Sequence, residues 1–208
     1  MAERPTLLVG ITGGTASGKT TLARLLSLSD PDVLLIGHDR YYITVPNPST
    51  HNYDEPAALD SALLGQHLDA LQEGRQVVLP RYDYTCHARE TEGDRVGPSP
   101  VVVVEGILVL SEPTIANRFH LKVYVHAPDD IRLIRRIRRD AVERGRSVEE
   151  VLHRYETTVR PSHQRWVAPT RQLADITLDG LAPVEDEVRR LKACIRSYQE
   201  RLGPHCDE

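Results

Sequence analysis

The chain alternates short apolar runs with longer amphipathic stretches, and that rhythm predicts most of its elements. Residues 6–11 (TLLVGI) form a strand-length apolar run, and 33–36, 101–104, 121–125 and 175–178 are four more. Between them, apolar residues recur at three- and four-residue spacing, the mark of a helix with one buried face. Residues 20–28 set Leu22, Leu25 and Leu26 on one side. Residues 56–73 do the same with Leu59, Leu63, Leu64, Leu68 and Leu71, and Gly74 stops them. Further helices are predicted over 129–144, 147–159 and 183–201. Continuous β-branched strands separated by helices imply a parallel sheet covered on both faces. The rhythm breaks only at 76–100, where QVVLPRYDY is followed by polar residues and RVGPSP, which predicts a β-hairpin-like insertion beside the sheet. With no repeat and no linker, residues 1–208 are expected to form one α/β domain of about five parallel strands.

The turn after the first strand carries chemistry. Gly13, Gly14, Thr15, Ala16, Ser17, Gly18, Lys19 and Thr20 fit G-x-x-x-x-G-K-[ST], placed between a strand and a helix as a phosphate-binding loop must be. Its glycines let backbone N–H groups turn inward around phosphate oxygens at a helix N-terminus. Lys19 is expected to reach the β/γ-phosphates and Thr20 to bind Mg²⁺. Glu105, ending the apolar strand 101–104, sits where an acidic partner for that metal is needed. Asp39, in the loop after the second strand, lies at the C-terminal sheet edge where ligands of such folds bind. The guanine-reading pattern N-K-x-D is absent from the sequence, which disfavours a GTPase. A small-molecule kinase or a non-catalytic nucleotide-sensing module remains.

Composition sharpens this reading. Of 26 Lys+Arg only Lys19, Lys122 and Lys192 are lysines, so Lys19 stands out. Seven arginines fall between 132 and 146, with Arg132, Arg135, Arg136 and Arg139 on one helical face and Ile131, Leu133, Ile134 and Ile137 on the apolar side. That pattern predicts an arginine-rich helical lid over 129–160, closing on a polyphosphate. Five of eight tyrosines (Tyr41, Tyr42, Tyr53, Tyr82, Tyr84) lie between 41 and 84, interleaved with Asp39, Asp54 and Asp83. Flat rings carrying a hydroxyl suit a base beside a hydroxylated sugar. The net charge of −4 argues against a nucleic-acid partner. No run is long enough for a membrane span, and Met1 to Pro5 lacks a signal layout. Cys86, Cys194 and Cys206 lack ligand or disulfide spacing, which predicts reduced thiols in a cytoplasmic protein.

From about residue 8 to 175 the chain resembles the uridine kinases (uridine–cytidine kinases) of the P-loop kinase superfamily. The resemblance rests on GGTASGKTT, HDRYY, Asn52-Tyr53-Asp54, Pro80-Arg81-Tyr82-Asp83-Tyr84 with His87 and Arg89, Glu105-Gly106-Ile107-Leu108, Arg135-Arg136, Arg139-Asp140 and Glu143-Arg144-Gly145-Arg146. It implies transfer of the γ-phosphate of ATP, with Mg²⁺, to the 5′-hydroxyl of uridine or cytidine. By the same resemblance the loop 13–20 with Thr21 binds ATP, Thr20, Glu105 and Asp39 organise the metal, and Asp39 accepts the hydroxyl proton. Asp54 binds the ribose hydroxyls with Arg136 assisting, Tyr42, Tyr82 and Tyr84 wall the nucleoside, and His87 and Arg146 read the pyrimidine. Arg139 and Arg144 approach the phosphates as catalytic cations beside Lys19. Arg154, where the family pattern has Gln, and Tyr155 adjoin the sugar. Arrangement as a homo-oligomer, often a tetramer, is also implied. P-loop kinases of phosphoribulose or pantothenate stand as an alternative. The segment between Tyr42 and Asn52 is shorter than the family pattern, and Leu178 to Pro183 replaces its glycine-rich turn, so no residue is assigned to adenine.

Overall fold

A computed structural model describes residues 5–48 and 51–203. In chain order the elements are β1 (Leu7–Thr12), α1 (Lys19–Leu28), β2 (Val33–Gly37), α2 (Ser61–Gln72), β3 (Val77–Asp83), β4 (Ala88–Val96) and β5 (Val101–Glu105). They continue with α3 (Pro113–Ala116), β6 (Leu121–His126), α4 (Asp129–Arg144), α5 (Val148–Arg154), α6 (Arg160–Ser162), β7 (Ile176–Asp179) and α7 (Val184–Arg201). Five strands form one sheet in the order β2-β5-β1-β6-β7, every neighbouring pair parallel.

Why the strands read as unbroken apolar runs is visible in β5. Val102 and Val104 join a core with Leu64, Leu68 and Leu71 of α2. Val101 and Val103 face the other way, toward Leu22 and Leu26 of α1 and Val188, Leu191 and Ile195 of α7. A period of two therefore feeds two cores at once, each fully buried aliphatic contributing about 1.5–3 kcal/mol.

The insertion is the expected hairpin: β3 and β4 pair antiparallel, Val77 opposite Val96 and Asp83 opposite Ala88, with an irregularity between Pro80 and Tyr82. Arginines moor it to the sheet edge. Arg40 donates to Pro80 O at 3.1 Å and Asp94 at 2.9 Å. Arg89 donates to the carbonyls of Tyr41 and Tyr42 and pairs with Asp60.

Two expectations need correction. Residues 56–73 are not one helix: a single 3-10 turn, Pro56–Ala58, precedes Asp60, whose side chain caps α2 by accepting from Leu63 N at 3.0 Å. The cap overrides apolar periodicity that ran through it. Residues 147–159 are not one regular helix either. Beyond Arg154 the chain winds through π turns at Tyr155–Val159 and His163–Val167, flanking α6 and leading into a 3-10 turn at Ala168–Leu173. Pro161 can give no N–H to a helical ladder there. Helix α4 turns its arginine face inward, the side whose spacing pointed to a polyphosphate. Arg132 and Arg136 are 2% and 7% exposed, whereas Ile134 is 44% exposed and its apolar neighbours enter neither core. Buried guanidiniums need acceptors. Arg132 finds Ala127 O at 3.2 Å and Asp129 at 2.6 Å, and Arg135 finds Gly180 O at 2.9 Å.

Cys86 and Cys194 are free, and Cys206 lies outside the described residues, as do Met1 to Arg4. Among the described residues, no helix is long and apolar enough to cross a membrane.

The phosphate loop is held from behind by the segment after β7. Gly180 N–H donates to His126 O at 2.7 Å, and a Cβ on Gly180 would run into the Ser17 carbonyl oxygen. Gly180→Ala is expected to cost about 1–3 kcal/mol through overpacking. In thermal denaturation that is a fall in Tm of roughly 2–12 °C; an unchanged Tm would show that the loop is not pinned there.

Candidate active site

Gly13, Ala16 and Gly18 all take positive φ, at 150°, 59° and 103°, which folds the loop between β1 and α1 back on itself. A Cβ on Gly13 would strike the Val125 carbonyl, and one on Gly14 would lie 2.6 Å from the Arg132 guanidinium carbon. No side chain caps the N-terminus of α1. Ser17 Oγ is buried without a hydrogen-bond partner. An uncapped helix N-terminus, a close-fitting glycine turn and an orphaned hydroxyl together fit a phosphate group.

Lys19, 9% exposed, lies over this cradle. Burial pulls its ammonium below the ordinary lysine range, while Glu105 and Asp39 oppose that pull. Burial pushes the Glu105 carboxyl up, Lys19 holds it down and Asp39 adds to the rise. Glu105 Oε2 accepts from Thr20 Oγ1 at 3.1 Å. Three oxygen-bearing residues, Thr20, Glu105 and Asp39, thus meet beside one cation, and their hard oxygens fit Mg²⁺. Asp39 rides a 3-10 turn, His38–Tyr41, directly after β2. Its neighbour His38 is fully buried and held neutral, its pKa lowered to about 4 by that burial.

One cavity of about 1590 Å³ runs from this cradle along the C-terminal sheet edge to the hairpin. At the donor end it is lined by Thr15, Ala16, Gly18, Lys19, Thr20 and Thr21; Gly13, Gly14 and Ser17 lie behind that surface. At the hairpin end Tyr42, Tyr82 and Tyr84 form a continuous aromatic wall, with centroids 5.6 and 5.3 Å apart. Partial burial and the neighbouring Asp39 carboxylate raise the Tyr84 phenol. His87 stacks on Tyr53 at 5.1 Å and 23°. Glu105 joins the donor end through Thr20, and Asp54, Arg136, Arg139, Arg144, Arg146 and Arg154 complete the lining. Burial pushes the Asp54 carboxyl up, against the charges of Arg136, Arg154 and Arg144. Arg136 itself donates to Thr15 Oγ1 at 3.0 Å, tying α4 to the phosphate loop.

Of the residues anticipated at the site, only Tyr155 is turned away. It is 7% exposed, sits in the first π turn and does not line the cavity. Four residues went unassigned. Tyr53 lines the hairpin end beside His87, and its neighbours in Asn52-Tyr53-Asp54 were its signal. Arg132 backs the phosphate loop, and Asp179 with Gly180 lines the donor end. Arg132 was marked only as part of the arginine face, and nothing local in the sequence marks Asp179 or Gly180; tertiary packing brings them in.

With that geometry in place, similarity to known proteins becomes specific. The signature of the phosphoribulokinase / uridine kinase family matches residues 45–185. A uridine kinase from Chloroflexus aggregans is 42% identical over 202 residues, covering 92% of this chain and 97% of that protein. The chain belongs to the phosphoribulokinase / uridine kinase family. A uridine kinase from Chloroflexus aurantiacus is 44% identical over 181 residues, covering 84% of this chain and 87% of its own. Among solved structures, D-glycerate 3-kinase from Cryptococcus neoformans superposes with a TM-score of 0.62 at 19% identity, covering 78% of this chain and 79% of its own. That likeness speaks for the fold alone. Family membership makes the protein a P-loop kinase, and the nucleotide-sensing alternative without catalysis falls away.

Asp54 offers a test that separates ligand binding from folding. A carboxyl whose pKa is raised by folding is destabilising wherever it is charged, so above that pKa its neutral isostere gains stability. Asp54→Asn is therefore expected to raise Tm by roughly 2–4 °C at about pH 7. The same variant should lose at least about 100-fold in kcat/KM for the acceptor, because an amide cannot accept two hydroxyl hydrogens on charged oxygens. A lowered Tm would show that Asp54 serves the fold instead of a ligand.

Proposed function

We propose that this kinase transfers the γ-phosphate of ATP, as its magnesium complex, to the 5′-hydroxyl of uridine and cytidine, giving the monophosphates. The observation that carries this reading is the single cavity in which the phosphate loop and Asp39 open onto a pocket walled by tyrosines, His87 and Asp54. The family relatives named uridine kinase support the same acceptor. A phosphoribulokinase- or pantothenate kinase-like acceptor gives no reason for a stacked His–Tyr pair and three further tyrosine rings.

In this reading Asp54 accepts both ribose hydroxyls, and Arg136 holds it charged. Tyr42, Tyr82 and Tyr84 confine the nucleoside by contact, while His87 and Arg146 meet the pyrimidine edge. A neutral imidazole presents either an N–H or a lone pair, so His87 can serve both uracil and cytosine. Asp39 takes the proton of the 5′-hydroxyl as the hydroxyl oxygen attacks. Lys19, Arg139 and Arg144 face the charge that spreads over the phosphoryl oxygens in flight. Thr20, Glu105 and Asp39 would hold Mg²⁺, which when bound supplies further charge neutralisation at the phosphates. Much of the acceleration comes from holding hydroxyl and phosphate in line. The setting is cytoplasmic pyrimidine salvage by a homo-oligomer, with no membrane or nucleic-acid partner.

A coupled assay across uridine, cytidine, 2′-deoxyuridine, pantothenate and ribulose 5-phosphate tests the acceptor. Uridine and cytidine should turn over, and 2′-deoxyuridine should fall by at least about 100-fold in kcat/KM, since one Asp54 hydrogen bond is stranded. Asp39→Asn should remove at least about 10³-fold of kcat while ATP still binds. Preference for ribulose 5-phosphate, or full activity of Asp39→Asn, would refute the assignment.

A further inference from the structure

Behind the arginines of the cavity lies a residue that does not line it. Asp140, on the last turn of α4, is 0% exposed. Its Oδ1 accepts from Arg139 Nε and Nη2 at 2.9 and 2.7 Å. Its Oδ2 is 3.3 Å from Arg146 and 3.7 Å from both Arg136 and Arg144. All four guanidiniums line the cavity, two facing the acceptor and two the phosphates in the reading above. The chain is bent to make this possible. Gly145 takes φ 62°, and Arg146 N–H returns to Asp140 O at 3.2 Å, folding Arg146 back over the end of α4.

We propose that Asp140 is the positioning residue of the active site, a buried carboxylate that fixes where the four substrate-facing arginines stand. The inference rests on the phosphoryl-transfer reading of the cavity. Left alone, four guanidiniums on one helix end would splay apart, each with rotamer freedom to lose on meeting a ligand. One anion shared among them draws them together and defines their directions before substrate arrives. Burial alone would push the Asp140 carboxyl up, but the hydrogen bond from Arg139 and the charges of Arg139, Arg144 and Arg136 hold it below the usual carboxylate range. The anchor is therefore charged at neutral pH. It also has a second effect of opposite sign: its negative charge weakens the pull of the arginines on a polyphosphate in the ground state. Removing it should harm turnover without harming donor binding, a combination that general damage to the fold cannot produce.

The test is Asp140→Asn, with kcat measured at saturating uridine and ATP and the ATP Kd by calorimetry. The expected result is a kcat about 100-fold lower, the size of losing oriented charge at a transition state. The ATP Kd should stay within threefold or tighten by up to about tenfold, for loss of one nearby anion. A kcat within threefold of the parent, or an ATP Kd weakened in step with kcat, overturns the proposal. If Asp140→Asn does not fold, Asp140→Glu keeps the charge but moves the anchoring oxygens by one methylene. It should then lose about tenfold in kcat at unchanged ATP Kd; unchanged kcat would overturn the proposal. If the parent binds ATP yet leaves uridine untouched, the acceptor reading fails by itself. Asp140 is then decided on whichever acceptor of the panel turns over: a kcat within threefold of the parent, or an ATP Kd weakened in step with kcat, overturns the inference, and a lower kcat at an ATP Kd within threefold or tighter upholds it.

Discussion

A lysine ammonium loses its hydration when buried, and most of this site is arranged around that cost. Lys19 sits between a loop of backbone N–H groups and two carboxylates, Glu105 and Asp39. Those acids come from the ends of β5 and β2, adjacent strands in the sheet order. A parallel sheet brings its strand ends to one edge, so residues far apart in sequence arrive within reach of one cation. The two hydrophobic cores exist on either side of that sheet, and their packing holds the edge still. Charge balance, more than any single contact, connects fold and chemistry here.

The arginines extend the same logic. A basic helix can turn its apolar side inward, yet α4 turns Arg132, Arg135, Arg136 and Arg139 inward because they meet carbonyl, hydroxyl and carboxylate oxygens there. The result is a cavity wall that is cationic, ordered and incompletely neutralised, suited to a triphosphate. The acceptor end is built separately. Its hairpin shares no strand pairing with the main sheet and is attached through Arg40 and Arg89, which grip backbone carbonyls and Asp94 and Asp60. The phosphate-loop and hairpin halves of the cavity therefore rest on different supports, and Asp39 lines the cavity they share.

How far the sequence was legible follows from the range of the forces involved. Strands and the helices 20–28, 129–144 and 183–201 were readable because two-sided burial writes itself into apolar periodicity. The phosphate loop was readable because its glycines answer a backbone requirement confined to eight residues. The break at Asp60 was hidden under continuing leucine spacing, where a single capping carboxylate outweighed periodicity. The arginine face of α4 was readable from its spacing, but its acceptors were not: Ala127 O just after β6, Thr15 Oγ1 in the phosphate loop and Gly180 O. Tyr155 does not line the cavity: it is buried in the first π turn, an irregularity that apolar spacing does not write into the sequence. Asp140 was visible only as one letter of a motif, since its meaning lies in four neighbours converging on it.

The central claim is that one continuous cavity delivers a phosphoryl group from the loop at Lys19 to a nucleoside hydroxyl at Asp39. Phosphorus NMR of the products formed from ATP and uridine reads this most directly. The account predicts equal amounts of ADP and uridine 5′-monophosphate, with the new phosphorus coupled to the 5′-methylene protons. Formation of ADP with inorganic phosphate alone, uridine remaining unchanged, would contradict it.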